Sequence, residues 1–128
     1  MKLRIDAIAV TSKDFNATVA FYSRLGFEFP PFSQDDQHIE PITQQGDVRL
    51  MIDHVDLMRS LNGCDPSPAT HSAFALLCDS PSQVNAICAN LKEAGYVFKT
   101  DPWDAFWGQR YATVIDPDGY EIDLFAPL

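Results

Sequence analysis

The chain has 128 residues, 46% hydrophobic and 21% charged, which suits one compact soluble domain with a real hydrophobic core. Its formal net charge of −9 argues against nucleic acid, whose phosphates demand a basic face, and is compatible with a neutral or cationic small molecule. No apolar run approaches the roughly 20 residues of a membrane helix, and the opening Met1-Lys2-Leu3-Arg4-Ile5-Asp6 lacks the apolar core and cleavage site of a signal peptide, so no membrane partner and a cytoplasmic location are expected.

Residues 3–11 alternate as a strand, with Ile8 and Val10 on one side and Ala7 and Ala9 on the other. Ser12-Lys13-Asp14 offers helix N-caps, and Phe15, Val19, Tyr22 and Leu25 then recur at helical spacing over about 14–26. Gly26 is placed to end that helix in the left-handed conformation, Phe27-Glu28-Phe29 restarts extended structure, and Pro30-Pro31 breaks it. Residues 38–43, the turn Gln44-Gln45-Gly46-Asp47 and residues 48–52 then read as a hairpin, and residues 55–70, with Asn62-Gly63 and Pro66-Ser67-Pro68, as a linker.

The same order returns. Residues 72–78 read as a buried strand, Asp79-Ser80-Pro81-Ser82 as a capped helix start, and Val84, Ile87, Cys88 and Leu91 as a second apolar stripe closed by Gly95. Residues 110–115, Asp116-Pro117-Asp118-Gly119 and Tyr120–Phe125 form a second hairpin. Leu25-Gly26-Phe27-Glu28-Phe29 and Ala94-Gly95-Tyr96-Val97-Phe98 are one helix exit written twice, so the chain reads as an α+β protein of two β-α-β-β-β modules, 1–54 and 71–128. Three cysteines with no C-x-x-C pair suggest neither disulfides nor a zinc knuckle; Cys78 and Cys88, within apolar runs, read as small core residues.

Several of these segments together resemble the vicinal oxygen chelate superfamily, which includes glyoxalases, bleomycin-resistance proteins and ring-cleaving dioxygenases. The similarity lies in Ala20-Phe21-Tyr22 through Leu25-Gly26-Phe27, in Leu91 to Gly95, and in Trp107-Gly108-Gln109-Arg110-Tyr111, Asp116-Pro117-Asp118-Gly119 and Ile122-Asp123-Leu124-Phe125. The resemblance implies mainly antiparallel sheets curled around a cup, and a homodimer. It also implies that enzymes of the group would be lyases, isomerases or dioxygenases using a divalent metal held by four side chains, typically His and Glu, from the first and last strands of each half.

Carried onto this chain, those four positions fall on Ala7, on Leu50 with Arg49 beside it, on His71 or Ser72, and on Asp123. Ala7 and Leu50 cannot coordinate an ion, and catalytic sites normally need three protein ligands, so no metal cofactor is expected; any ion would rest on His71 and Asp123. His38 and His54 lie elsewhere, and Asp123 also has a structural reading, paired with Arg110. Without a metal, the expected cup floor is apolar, formed by Ala7, Ala9, Val48, Leu50 and Ile52, with Glu121, Asp123 and Phe125 on a shared face in the second half. Trp103, Phe106 and Trp107 fall within seven residues, followed by Tyr111; such rings anchor interfaces, or wall a site for a planar or cationic ligand. The expected ligand-binding set is Leu50, Trp103, Phe106, Trp107, Tyr111, Glu121 and Asp123. It resembles the metal-free bleomycin-resistance branch, with detoxification or resistance as its theme. The alternatives are a metal-dependent or unorthodox enzyme of the same superfamily, in which Asp123 or Glu121 could serve as a general base, and a non-catalytic interaction module whose cup is packed core.

Overall fold

A computed structural model describes residues 4–68 and 73–128. The chain divides into two units, Met1–Ser67 and Pro68–Leu128, each with its own sheet and helices.

The first unit contains β1 (Ala7–Ser12), α1 (Phe15–Arg24), β2 (His38–Ile39), β3 (Arg49–His54) and α2 (Val55–Asn62). Its sheet order is β1-β3-β2, with β1 parallel to β3 and β2 antiparallel to it. Asp14 caps α1 by accepting from the Asn16 N–H at 3.0 Å, and Phe15, Thr18, Phe21 and Tyr22 are buried. Parallel register sets Ile8 beside Leu50, Val10 beside Ile52 and Ser12 beside His54. Val10, Leu50 and Ile52 are buried at 2%, 4% and 0% exposure and belong to the core with the α1 side chains. Ala7, Ala9 and Thr11 fall on the opposite face, beside Arg49, Met51 and Asp53.

That register corrects the expected cup floor. Ala7 and Ala9 do not share a face with Leu50 and Ile52, and Val48 is exposed outside the strand. Two further differences concern extent. Residues 27–29 form no strand; besides the Phe27 bond back to the helix, Ile42 N–H donates to Glu28 C=O at 2.7 Å. The strand expected over 38–43 pairs only at His38 and Ile39, since Pro41, without an N–H, cannot extend the ladder. The stretch expected as linker contains α2, capped by the His54 ring, whose Nδ1 accepts from the Asp56 N–H at 3.1 Å, and closed by Gly63 at φ +74°.

The second unit contains β4 (Ala73–Leu77), α3 (Pro81–Glu93), β5 (Phe98–Ala105), β6 (Gln109–Ile115) and β7 (Glu121–Pro127), in sheet order β4-β7-β6-β5. β4 runs parallel to β7 and the other pairs are antiparallel, so both sheets are mixed, and in the first the parallel pair is the longer. Ser80 caps α3, its hydroxyl accepting from the Gln83 N–H at 3.1 Å, with Pro81 in the first turn. Val84, Cys88 and Leu91 of α3 are buried, as are Ala112, Val114, Ile122, Leu124 and Ala126 on one face of the sheet. Cys78 and Cys88 are free buried thiols, and burial pushes Cys88 up to about 11, which makes it a packing residue, not a nucleophile.

The repeated helix exit has the same backbone chemistry in both units. Gly26 and Gly95 have φ of +99° and +90°. The next residue donates back across the last turn, Phe27 N–H to Tyr22 C=O at 3.2 Å and Tyr96 N–H to Leu91 C=O at 3.1 Å. Each glycine also donates to Ser23 or Lys92 at 3.0 Å. This is the paired bonding of a Schellman motif, which needs the left-handed glycine.

Candidate ligand-binding face

The face of the second sheet turned away from α3 gathers most of the residues expected to bind a ligand. Antiparallel register places Trp103 beside Tyr111, Tyr111 beside Phe125, and Thr113 beside Asp123. Glu121, Asp123 and Phe125 alternate along β7 on that same side, while Ile122 and Leu124 point into the core. Trp107, in the turn between β5 and β6, meets Trp103 edge-on at 5.5 Å and Tyr111 at 5.3 Å between ring centroids. Tyr111 stacks on Phe125 at 6.3 Å and 30°. Trp107 Nε1–H donates to Gln109 Oε1 at 2.8 Å, which holds the indole. The result is a continuous aromatic surface of Trp103, Trp107, Tyr111 and Phe125. Trp103 and Trp107 keep 39% and 48% of their surface exposed, enough for a planar molecule to stack on either ring.

Asp123 stands half-buried at the edge of these rings. Its Oδ2 accepts from the Tyr111 hydroxyl at 2.6 Å and its Oδ1 from the Thr113 hydroxyl at 2.7 Å. Burial first, and then the bond to Asp123 and its charge, push the Tyr111 phenol up to about 12, so it remains a donor throughout the physiological range. Glu121 is joined to Lys99 at 2.9 Å. Arg110 is not the partner of Asp123: it lies on the α3 side, donating to Asn85 Oδ1 at 3.0 Å and Asp104 Oδ1 at 3.1 Å.

Two expected site residues fall elsewhere. Leu50 lies in the core of the first unit, one residue out of register with Ala7. Phe106 is 91% exposed and meets the aromatic surface at Trp107, at 5.0 Å. His71 lies outside the described residues. Thr113 escaped the sequence reading, although alternation from Tyr111 already puts it on the same face.

The corresponding face of the first unit carries charge instead of rings. His38 lies between Asp53, at 2.7 Å from Nδ1, and Glu40, at 2.7 Å from Nε2. Arg49 continues the chain to Glu40 at 2.8 Å and to Asp6 at 3.0 Å. The bonds to Asp53 and Glu40 outweigh partial burial and raise the His38 pKa. Burial opposes ionisation of Glu40, yet bonds from His38 and Arg49 hold its carboxyl below the ordinary value. Next to this network lies a polar recess of about 250 Å³ lined by Gln34, Asp35, Asp36, Gln37, His54 and Asp56.

Among the described residues, the positions expected to hold a family-type metal offer few donors. On the first unit's α1-distal face, the positions flanking Ala7 and Ala9 are Arg49 and Met51. His38 has carboxylates on both ring nitrogens, and His54 spends Nδ1 on the α2 cap. Among the described residues no group of three His, Cys, Asp or Glu side chains is arranged to hold an ion.

Two sheets, each with its first and last strands parallel and a helix between, match a known structural class. Crystal structures described as glyoxalase/bleomycin resistance protein/dioxygenase proteins share the fold. One from Nocardioides aligns with 22% identity and a TM-score of 0.76 over 100% of this chain and 85% of its own. One from Burkholderia phytofirmans PsJN aligns with 16% identity and a TM-score of 0.79 over 98% and 100%. A glyoxalase-related enzyme from Fulvimarina pelagi aligns with 19% identity and a TM-score of 0.81 over 96% and 87%. The sequence profile of the Glyoxalase/Bleomycin resistance protein/Dioxygenase superfamily matches residues 4–124, and the chain belongs to that superfamily. No curated protein matches it. Among the described residues, no helix is long and apolar enough to cross a membrane.

Proposed function

We propose that this member of the superfamily binds a hydrophobic or cationic small molecule on the α3-distal face of its second unit, without a metal. Sequestration for detoxification or resistance is the theme, in the cytoplasm and as a homodimer. The observation that carries the reading is the juxtaposition of Trp103, Trp107, Tyr111 and Phe125 with the Asp123 carboxylate. Aromatic faces attract planar rings and cations, and a carboxylate at their edge supplies a complementary charge. The donor chemistry of the described residues supports the metal-independent part, since the first unit offers Ala7 and Arg49 where ligands are needed.

The test combines two titrations of tag-free protein. Protein NMR with planar aromatic compounds should move the two indole N–H signals, and Trp107→Ala should abolish most of that response. Incubation with Ni, Zn, Mn and Fe(II), followed by removal of excess ion, should leave far less than one equivalent per chain. Silent indole signals would remove the ligand face. One equivalent of metal, lost in Asp123→Ala, would turn the assignment toward a metal-dependent lyase, isomerase or dioxygenase.

A further inference from the structure

We infer that Asp123 is a fixed counter-charge for a single positive charge on a planar ligand, held in place by Thr113 and Tyr111 as positioning residues. The inference rests on the ligand face just proposed and specifies what that face selects.

The argument begins with the partners of the two carboxylates on β7. Glu121 is neutralised by Lys99 at 2.9 Å. Asp123 is held at 2.6 Å and 2.7 Å by two uncharged O–H groups, and the arginine nearest in sequence to its strand partners, Arg110, is committed to the other side of the sheet. Hydroxyl bonds orient a carboxylate but leave its charge in place. Among the described residues, Asp123 is therefore the carboxylate on this face with only neutral partners.

Both oxygens are restrained, so the group has little rotational freedom to lose when a ligand arrives, and each oxygen still has acceptor capacity for a charged donor or a cationic ring. Thr113 makes the case independently of the rings. It is 7% exposed on a strand, where valine would have the same shape without a hydroxyl to satisfy. Its hydroxyl is spent on Asp123. Tyr111 has two roles, a ring in the aromatic surface and an O–H on the carboxylate, which ties the position of the charge to the position of the stacking plane.

The test compares N-methylquinolinium, a planar monocation, with 1-methylnaphthalene, its uncharged isostere, by NMR titration of the two indole signals in the full chain. The cation should bind about tenfold more tightly than the neutral probe. Thr113→Val and Tyr111→Phe should each reduce that ratio several-fold, and Asp123→Asn should bring it to about one, which is the behaviour of a lost charge contact. Folding of each variant is read from the same spectra, and the three variants disturb shape little. Equal affinity for both probes in the unaltered protein would overturn the counter-charge while leaving the aromatic ligand face standing. A ratio unchanged in Thr113→Val and in Tyr111→Phe would overturn the positioning roles. If neither probe moved the indole signals, the ligand face itself would fall, and this inference with it.

Discussion

The two units repeat one strand-helix-strand plan and finish their helix-distal faces in opposite ways. In the first, five charged groups from Asp6 to Asp53 compensate one another through Arg49 and His38. In the second, the same side of the sheet presents aromatic rings and a carboxylate held by hydroxyls. Ion pairs at this exposure contribute little, about 0–1 kcal/mol each, so the first face is better understood as charge settled within the protein. The second retains stacking surface and an unsettled charge. Duplication fixes where side chains point, and the residues placed there decide whether a face is self-satisfied or available to a ligand.

The largest effect separates the two sides of the first sheet. Leu50 is 4% exposed on the α1 side, whereas Met51, its neighbour, is on the charged side and half-buried. Leu50→Ala should cost about 3 kcal/mol through lost burial and the cavity left behind, and Met51→Ala about 1 kcal/mol. Urea denaturation measures both. Equal costs would mean that β1 and β3 pair with a different register, and would reopen Leu50 as a ligand contact.

That register also marks the limit of what the sequence revealed. The two modules were legible because their helix exits depend on local chemistry: a glycine at positive φ, then a residue whose N–H reaches back over the last turn. Asp14 and Ser80 announced the helix starts for the same reason. Alternation within β1 correctly separated Ile8 and Val10 from Ala7 and Ala9, but it cannot say which residue of β3 lies opposite, because parallel pairing is fixed by distant contacts. Alternation alone allows Leu50 beside Ala7, whereas its neighbour is Ile8. Helix α2 escaped because its cap is the ring of His54, an uncommon capping group, at the start of a stretch whose later Asn-Gly and prolines read as linker. In the candidate site the rings and Asp123 were visible as residue types. The hydroxyl pair on the carboxylate, and the commitment of Arg110 to Asn85 and Asp104, needed the β5-β6-β7 pairing.

A middle-sized effect probes the second face through its phenol. The chain has four tyrosines, and Tyr111 is held protonated up to about 12 by burial and by Asp123. Alkaline titration followed by ultraviolet absorbance should show a phenol ionising well above the normal tyrosine value of about 10, and that step should be lost in Tyr111→Phe. Asp123→Asn removes the negative charge beside it, so the Tyr111 pKa should fall. No change would separate the phenol from the carboxylate and remove the link between stacking plane and charge.

The smallest effect tests whether the first face is settled in the way the comparison requires. His38 has a raised pKa in the folded protein, so its contribution to stability is complete below the unfolded value of about 6.5 and disappears as pH rises through the folded value. Glu40 has a lowered pKa; its contribution is complete above the unfolded value of about 4.5 and is lost as pH falls through the folded one. The network therefore stabilises most between about pH 4.5 and 6.5. With side-chain exposures of 40% for His38 and 26% for Glu40, solvent screening keeps the gain below about 1 kcal/mol. The stability difference between the unaltered protein and His38→Gln, from urea denaturation across pH 4 to 9 (a range of about five units around these values), should be largest in that window and shrink on the alkaline side. A difference that did not vary with pH would mean that His38 acts through packing alone. The first face would then owe its closed character to shape, not to compensated charge.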